Sequence, residues 1–315
     1  MGRNIVEYLR KKSIQQLFKA NGFNSNWDTW KLEVNRLAPK KTPNQIFNLG
    51  DSLKDIFYST NTGTREQSDV SGGGASWESL VCWYLNLCLI GRRTVVIKHN
   101  KNLIPNPISD AITVNYGSFT SNTESDLIAV TFPDKENYRI DKDSINILDE
   151  DGEEVPLRKN GKNKKYNMLG VLNALCHKDF DDLEIHIIQC KTNWNDNAQI
   201  PMMWDMIYSA NTFRNDITIG KNGYSIHSVN KFTYSFVTVP TVKLEKIKSD
   251  STCVQRVHNL SGGNYWGIKS KSNVASSVKE LLSRNLKSGH AKSHLETLKT
   301  ELPDFDKKYD YFSLY

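Results

Sequence analysis

The stretch LEIHIIQCKTNWNDNAQIPMMWDMIY, residues 183–208, sets the tightest limit on what this chain can fold into. An apolar run of strand length ends in Gln189-Cys190-Lys191, and an apolar run of helix length begins a few residues later. Ile200, Met203, Trp204, Ile207 and Tyr208 fall on one face of that helix. Asn195-Asp196 can cap it, with Gln199 in its first turn. Residues i and i+2 of a strand share a side, so Gln189 and Lys191 project together from the strand's end. Either the strand surfaces there on polar residues, or its tip holds a metal and a phosphate.

The same alternation runs through the rest of the chain. SWESLVCWYLNLCLIG, residues 76–91, is apolar nearly all round and predicts a buried helix, with Ser76 as its N-cap and Gly91 as its stop. TVVIKH (94–99), DLIAVTF (126–132) and KFTYSFVTVP (231–240) predict strands. Residues 4–20, 27–37 and 45–58 predict helices, and the polar, glycine-rich stretch STNTGTREQSDVSGGGAS after them predicts a loop. The boundary placed in that loop divides a helical region, 1–66, from a main body, 67–315. Residues 133–182 read as a charged insertion with one apolar helix at NMLGVLNALC, and residues 274–300 as two short amphipathic helices. Helix, strand, strand, insertion, strand, helix, strand predicts an α/β fold with a central mixed β-sheet flanked by helices.

With 315 residues the chain has room for one large domain, or a core and a small accessory domain. No apolar run approaches the roughly 18 residues of a membrane span. The opening MGRNIVEYLRKKSIQQLF has neither the apolar core of a secretion signal nor a lipidation motif, so an intracellular, cytoplasmic protein is expected. Five cysteines form no CxxC pair, which suits a reducing compartment and no structural metal. The net charge of +6 permits a polyanionic partner. LRKNGKNKKY places Arg158, Lys159, Lys162, Lys164 and Lys165 around Gly161, a basic loop suited either to solvation or to phosphate. SGGNYWGIKS comes close to a phosphate-binding loop, but Ile268 displaces the lysine to 269 and no strand leads in, so no nucleotide cofactor is expected. Beside DNA, Asn264 in that loop could pair with a base edge, and Tyr265 could pack on sugar or base.

Four positions in this order carry chemistry: Glu78 at the start of the buried helix, Asp126 opening a strand, and Gln189 and Lys191 closing the next. Each has an ordinary explanation. A helix N-terminus favours Glu78, turn chemistry favours Asp126, and strand ends are commonly solvated at residues such as Lys191. Together and in this order they resemble the PD-(D/E)XK nuclease superfamily, whose best-known members are type II restriction endonucleases. The resemblance covers roughly residues 76–240. It implies a Mg2+-dependent, site-specific endonuclease of double-stranded DNA. Asp126, Glu78 and Gln189 would be metal ligands, Lys191 would hold the attacking water and the scissile phosphate, and a homodimer would cut both strands.

Three departures accompany the resemblance. Gln189 stands where Asp or Glu is usual, a Gln-x-Lys variant found in some branches, including methylation-dependent restriction enzymes. Ser125 replaces the proline before Asp126. Asp126 and Gln189 are 63 residues apart, which requires 133–182 to be an insertion. Pro133-Asp134 spells the motif literally, but no acidic-x-Lys closes a strand after it. A methylation-dependent or structure-specific nuclease of the same fold, or a non-catalytic DNA-binding protein on a decayed nuclease fold, fits the same residues.

Overall fold

The structure, a computed structural model, describes residues 3–60, 69–122, 125–161, 164–192, 199–210, 216–239, 264–265 and 277–315, with backbone alone at 69–73, 199–202 and 264–265. In chain order the elements are α1 (Ile5–Lys19), α2 (Asn21–Leu37), α3 (Pro43–Asn48), α4 (Leu53–Tyr58), α5 (Asp69–Cys88), β1 (Thr94–Lys98), α6 (Asn106–Ala111) and β2 (Val114–Asn115). They continue with β3 (Thr120–Ser121), β4 (Leu127–Thr131), α7 (Met168–Lys178), β5 (Glu184–Lys191), α8 (Gln199–Ser209), β6 (Thr218–Ile219), β7 (Lys231–Thr238) and β8 (Asn264–Tyr265). Three short helices follow, α9 (Glu280–Arg284), α10 (His294–Glu301) and α11 (Phe305–Lys308).

The molecule is an α/β protein with a mixed central sheet in the order β1-β4-β5-β7-β8. β1, β4 and β5 form an antiparallel meander, while β7 runs parallel to β5 and β8 parallel to β7. A parallel neighbour needs a crossover, and α8 lies in the connection from β5 to β7. Alternation along the strands separates two cores. Val95, Ile97, Ile128, Val130, Ile185 and Ile187 face one core, with α6, α7 and α8. Val96, Leu127, Ala129, Ile188 and Val237 face the other, with α2, α5 and the C-terminal helices.

β1 is an edge strand, and α1 covers it. The helix places Ile5 and Leu9 in one core and Ile14 and Leu17 in the other. Val96 turns its backbone groups away from β4, and the Asn86 amide takes both: Asn86 Nδ2 donates to Val96 O at 2.7 Å, and Val96 N donates to Asn86 Oδ1 at 3.1 Å. Ser13 Oγ adds a bond to the same carbonyl at 2.9 Å. The helical region before residue 61 is thus continuous with the packing of the main body.

Two helix expectations change. The run 45–58 is broken into α3, a 3-10 turn at Leu49–Asp51, and α4. Helix α5 starts at Asp69 rather than after Ser76, so the SGGG stretch is helical. Glycine is a poor helix former, but tertiary packing overrides propensity. Here the start of α2 abuts α5, with Ser76 Oγ 3.4 Å from both Gly22 O and Asn26 Nδ2. The connection from β4 to β5 holds 3-10 turns, isolated bridges and the helix α7. The small sheet β3-β2-β6 has no counterpart among the sequence-derived elements. Lys162, Asn195, Asp196, Gly262, Trp266, Gly267 and Cys253 lie outside the described residues.

Candidate active site

At one end of the sheet the tips of β1, the β4 entry and β5 converge on the middle of α5. Asp126 immediately precedes β4 and Lys191 ends β5, in neighbouring antiparallel strands whose register pairs Leu127 with Ile188. Cys190 N donates to Asp126 Oδ2 at 2.7 Å, and Lys191 Nζ reaches the same oxygen at 3.4 Å. The carbonyl of Lys191 is held by Thr238 Oγ1 at 2.7 Å and Val239 N at 3.1 Å, so β7 fixes the strand end that carries the ammonium.

Glu78 enters from α5. Because the helix begins at Asp69, Glu78 sits in its third turn, and the field of a helix N-terminus no longer accounts for it. Its Oε2 pairs with Lys98 Nζ at 3.1 Å. Lys98 also donates to Ala75 O at 2.8 Å and Ser79 Oγ at 3.1 Å, which employs all three donors of its ammonium. Lys191 makes its single contact at the long distance of 3.4 Å among the described residues, so its donors remain largely available. This distinguishes the two lysines chemically: Lys98 is fastened to the helix, and Lys191 keeps most of its donor capacity among the described residues.

Electrostatics bind the four groups into one site. Burial pushes the Glu78 carboxyl up against the pull of Lys98, while Asp126 adds to the rise and Lys191 opposes it. Each of the four side chains is about one-fifth to one-quarter exposed, from 19% at Asp126 to 28% at Lys98. That is buried enough to strengthen charge interactions and open enough to meet a ligand. Burial, with Asp126 and Glu78 close by, also holds the Cys190 thiol protonated.

The sequence-derived candidates separate into three groups. Glu78, Asp126 and Lys191 come together. Gln189 lies at the same strand end but is 4% exposed, and its Oε1 accepts the Tyr234 hydroxyl at 2.7 Å. The basic residues Arg158, Lys159, Lys164 and Lys165 stand on a hairpin closed by a bridge between Arg158 and Tyr166. Asn264 and Tyr265 form β8 beside β7, on the sheet edge away from β1. Asp134 of the literal Pro-Asp pair is engaged by Arg93 at 3.0 Å and by Arg139, outside the cluster. Sequence reasoning missed Lys98, which follows three apolar strand residues, and His99, whose Nδ1 lies 3.2 Å from Ser125 Oγ beside Asp126. The signal for Lys98 was parity: it is two residues beyond Val96, on the side of the sheet that faces α5.

Glu78 and Asp126 are two carboxylates, each with one oxygen that no described residue engages. Among the described residues no group of three or more His, Cys, Asp and Glu side chains could hold a metal ion. Two carboxylates suit Mg2+, which keeps several waters and is completed by substrate phosphate, better than a fully caged ion. No helix among the described residues is long and apolar enough to cross a membrane. The chain matches no model of a known protein family, and no curated protein is similar to it.

Proposed function

We propose that the chain is a Mg2+-dependent endonuclease of double-stranded DNA, built like the type II restriction enzymes. The observation that carries this reading is the order of elements together with the cluster they bear. A helix with Glu78, an antiparallel meander, a helical crossover and a parallel strand bring Glu78, Asp126 and Lys191 to one tip. This supports the reading, because the PD-(D/E)XK resemblance implies a helical Glu, an Asp opening a strand and a Lys closing the next.

Asp126 and Glu78 would hold the metal, whose chemistry is charge neutralisation at the phosphate and acidification of water. Asp126 is oriented by the Cys190 N–H at one oxygen, and its other oxygen is engaged by no described residue. Lys98 steadies Glu78 and offsets its charge until a cation arrives. Lys191 positions the attacking water and the scissile phosphate, and its ammonium stabilises the charge that develops on the phosphoryl oxygens. Water oxygen bonds to phosphorus as the P–O3′ bond breaks. The 3′ oxygen leaves with a proton, and a 5′-phosphate remains. Gln189, its oxygen committed to Tyr234, serves as a strand-packing group. A two-fold dimer would place one such site on each strand.

The engagement of Gln189 also favours a second reading, a DNA-binding protein whose nuclease site has decayed. Incubation with unmodified and methylated plasmid, in Mg2+ or EDTA, separates them. Discrete Mg2+-dependent fragments support the nuclease. Tight binding with every substrate intact supports the decayed fold.

A further inference from the structure

Resting on the nuclease reading, we infer that a cationic trough between helix α1 and the bridged segments 158–161 and 164–166 carries the sugar–phosphate backbone of DNA to the Glu78–Asp126–Lys191 cluster. The trough is a cavity of about 540 Å3. One wall is the polar face of α1, where Tyr8, Lys12, Gln15 and Lys19 recur at helical spacing while Ile5, Leu9, Ile14 and Leu17 are buried behind them. The other wall is the hairpin, closed by Lys159 N donating to Lys165 O at 2.9 Å. Tyr8 and Tyr166 meet edge to face at 5.2 Å, with Lys142 Nζ 4.9 Å from the centre of the Tyr166 ring.

Lys12, Lys19, Lys142, Arg158, Lys159 and Lys165 line this cavity, and among the described residues no carboxylate does. Asp143 pairs with Lys142 and Arg158. Lys12, Lys19, Lys159 and Lys165 have no acidic partner among the described residues. Such a concentration of unneutralised charge repels itself unless a polyanion relieves it. From Lys12 to Lys19 the helix rises about 10 Å, longer than one small anion and suited to a repeating one. Tyr8, partly exposed on the wall, offers aromatic surface of the kind sugars and bases pack against, while Tyr166 is buried behind it.

The trough leads to the chemistry. A second cavity of about 170 Å3 shares Gln16 and Leu103 with the first. Its wall includes Ser79 and Lys98, the latter paired with Glu78, and His99 beside Asp126. The N-terminal helix, which the sequence predicts over residues 4–20 with no role beyond the fold, becomes one bank of the substrate path.

The test is binding of a fluorescent 30-base-pair duplex in EDTA, across salt concentrations, to the full chain and three double variants of equal charge change. These are Lys12→Glu/Lys19→Glu, Lys159→Glu/Lys165→Glu and, remote from the trough, Lys299→Glu/Lys307→Glu. Both trough variants are expected to weaken binding by about tenfold or more and to flatten the log K against log salt slope by about 0.9 for each phosphate the protein no longer neutralises. The remote variant should bind within about twofold of the parent. The corresponding Lys→Gln pairs, with thermal midpoints, distinguish a weakened DNA interface from a damaged fold. Equal weakening by all three charge reversals, or no DNA binding by the parent, overturns the trough. Cleavage is scored separately: trough-dependent binding without any Mg2+-dependent cutting removes the nuclease reading and leaves the binding path standing.

Discussion

Two charged clusters fasten α5 to the rest of the molecule, and they are built in opposite ways. In the first, near the end of the helix, Arg10 is fully buried and donates to Glu7 at 3.0 Å, Asn86 at 3.2 Å and Arg92 O at 2.8 Å, while Glu7 also accepts from Gly91 N at 2.9 Å. Its charges are matched and shut from water. In the second, at the tip of the sheet, Glu78, Lys98, Asp126 and Lys191 balance in sign but remain partly exposed. There, among the described residues, Lys191 makes one long contact and each carboxylate has an oxygen that nothing engages. A cluster that consumes its hydrogen-bonding capacity internally holds a fold together, whereas one that keeps capacity in reserve is prepared for a ligand.

Breaking the closed cluster should have the largest effect. Arg10→Ala strands the Glu7 carboxylate in the core, and removing one partner of a buried pair costs about 3–5 kcal/mol. Urea denaturation should show a large fall in midpoint, and an unchanged midpoint would remove the contrast.

The open cluster should answer differently, as Glu78→Gln will show. Burial raises the Glu78 carboxyl, so the folded state holds that proton more tightly than the unfolded chain does. Ionised Glu78 therefore weakens the fold as pH rises from the ordinary carboxylate range through its raised value. The variant is expected to be as stable as the parent or slightly more so at neutral pH, with a flatter stability profile across that window. Its Mg2+-dependent cleavage should fall by about 100-fold or more, the scale of losing one preorganised charge interaction. In the parent, cleavage should decline as pH drops through the raised Glu78 value, and this limb should be absent from whatever activity the variant retains. A clear loss of stability together with activity would place Glu78 among the structural charges instead.

Tyr234→Phe sharpens the assignment of Gln189. It leaves a buried amide oxygen without its hydroxyl donor, at a cost of about 1–2 kcal/mol in chemical denaturation. Cleavage should stay within a few-fold of the parent, and a loss approaching that of Glu78→Gln would restore Gln189 as a metal ligand. The smallest effect is expected from Cys190→Ala, which deletes a buried sulfur but keeps the backbone N–H on Asp126. Stability should fall by about 1 kcal/mol and the rate should hold within twofold.

How much of this was legible in the sequence follows from the range of each interaction. The strands showed clearly because TVVIK, LIAVT and the apolar run into Lys191 carry their burial in local pattern. Glu78, Asp126 and Lys191 were singled out by their order along the chain and the resemblance it carries, and the structure sets the two strand ends and the helix that bear them at one tip. The start of α5 was not, because SGGG lacks helix propensity and is held helical beside contacts from α2, some fifty residues earlier. Lys98 was hidden for a similar reason. Its importance lies in reaching across to Glu78, Ala75 and Ser79, and nothing in TVVIKH states where its neighbours stand. The two-residue strands β2, β3 and β6 are too short to carry a period.

The central claim is that the open cluster performs hydrolysis through Lys191, and single-turnover cleavage by the parent and Lys191→Ala, with duplex binding and thermal midpoint measured in parallel, tests it most directly. The account predicts that the variant folds and binds DNA as the parent does but cuts about 1,000-fold more slowly in Mg2+, the upper range for removing one charge-stabilising donor. Equal cutting by both proteins, or no Mg2+-dependent cutting by the parent on unmodified and methylated DNA alike, would contradict it.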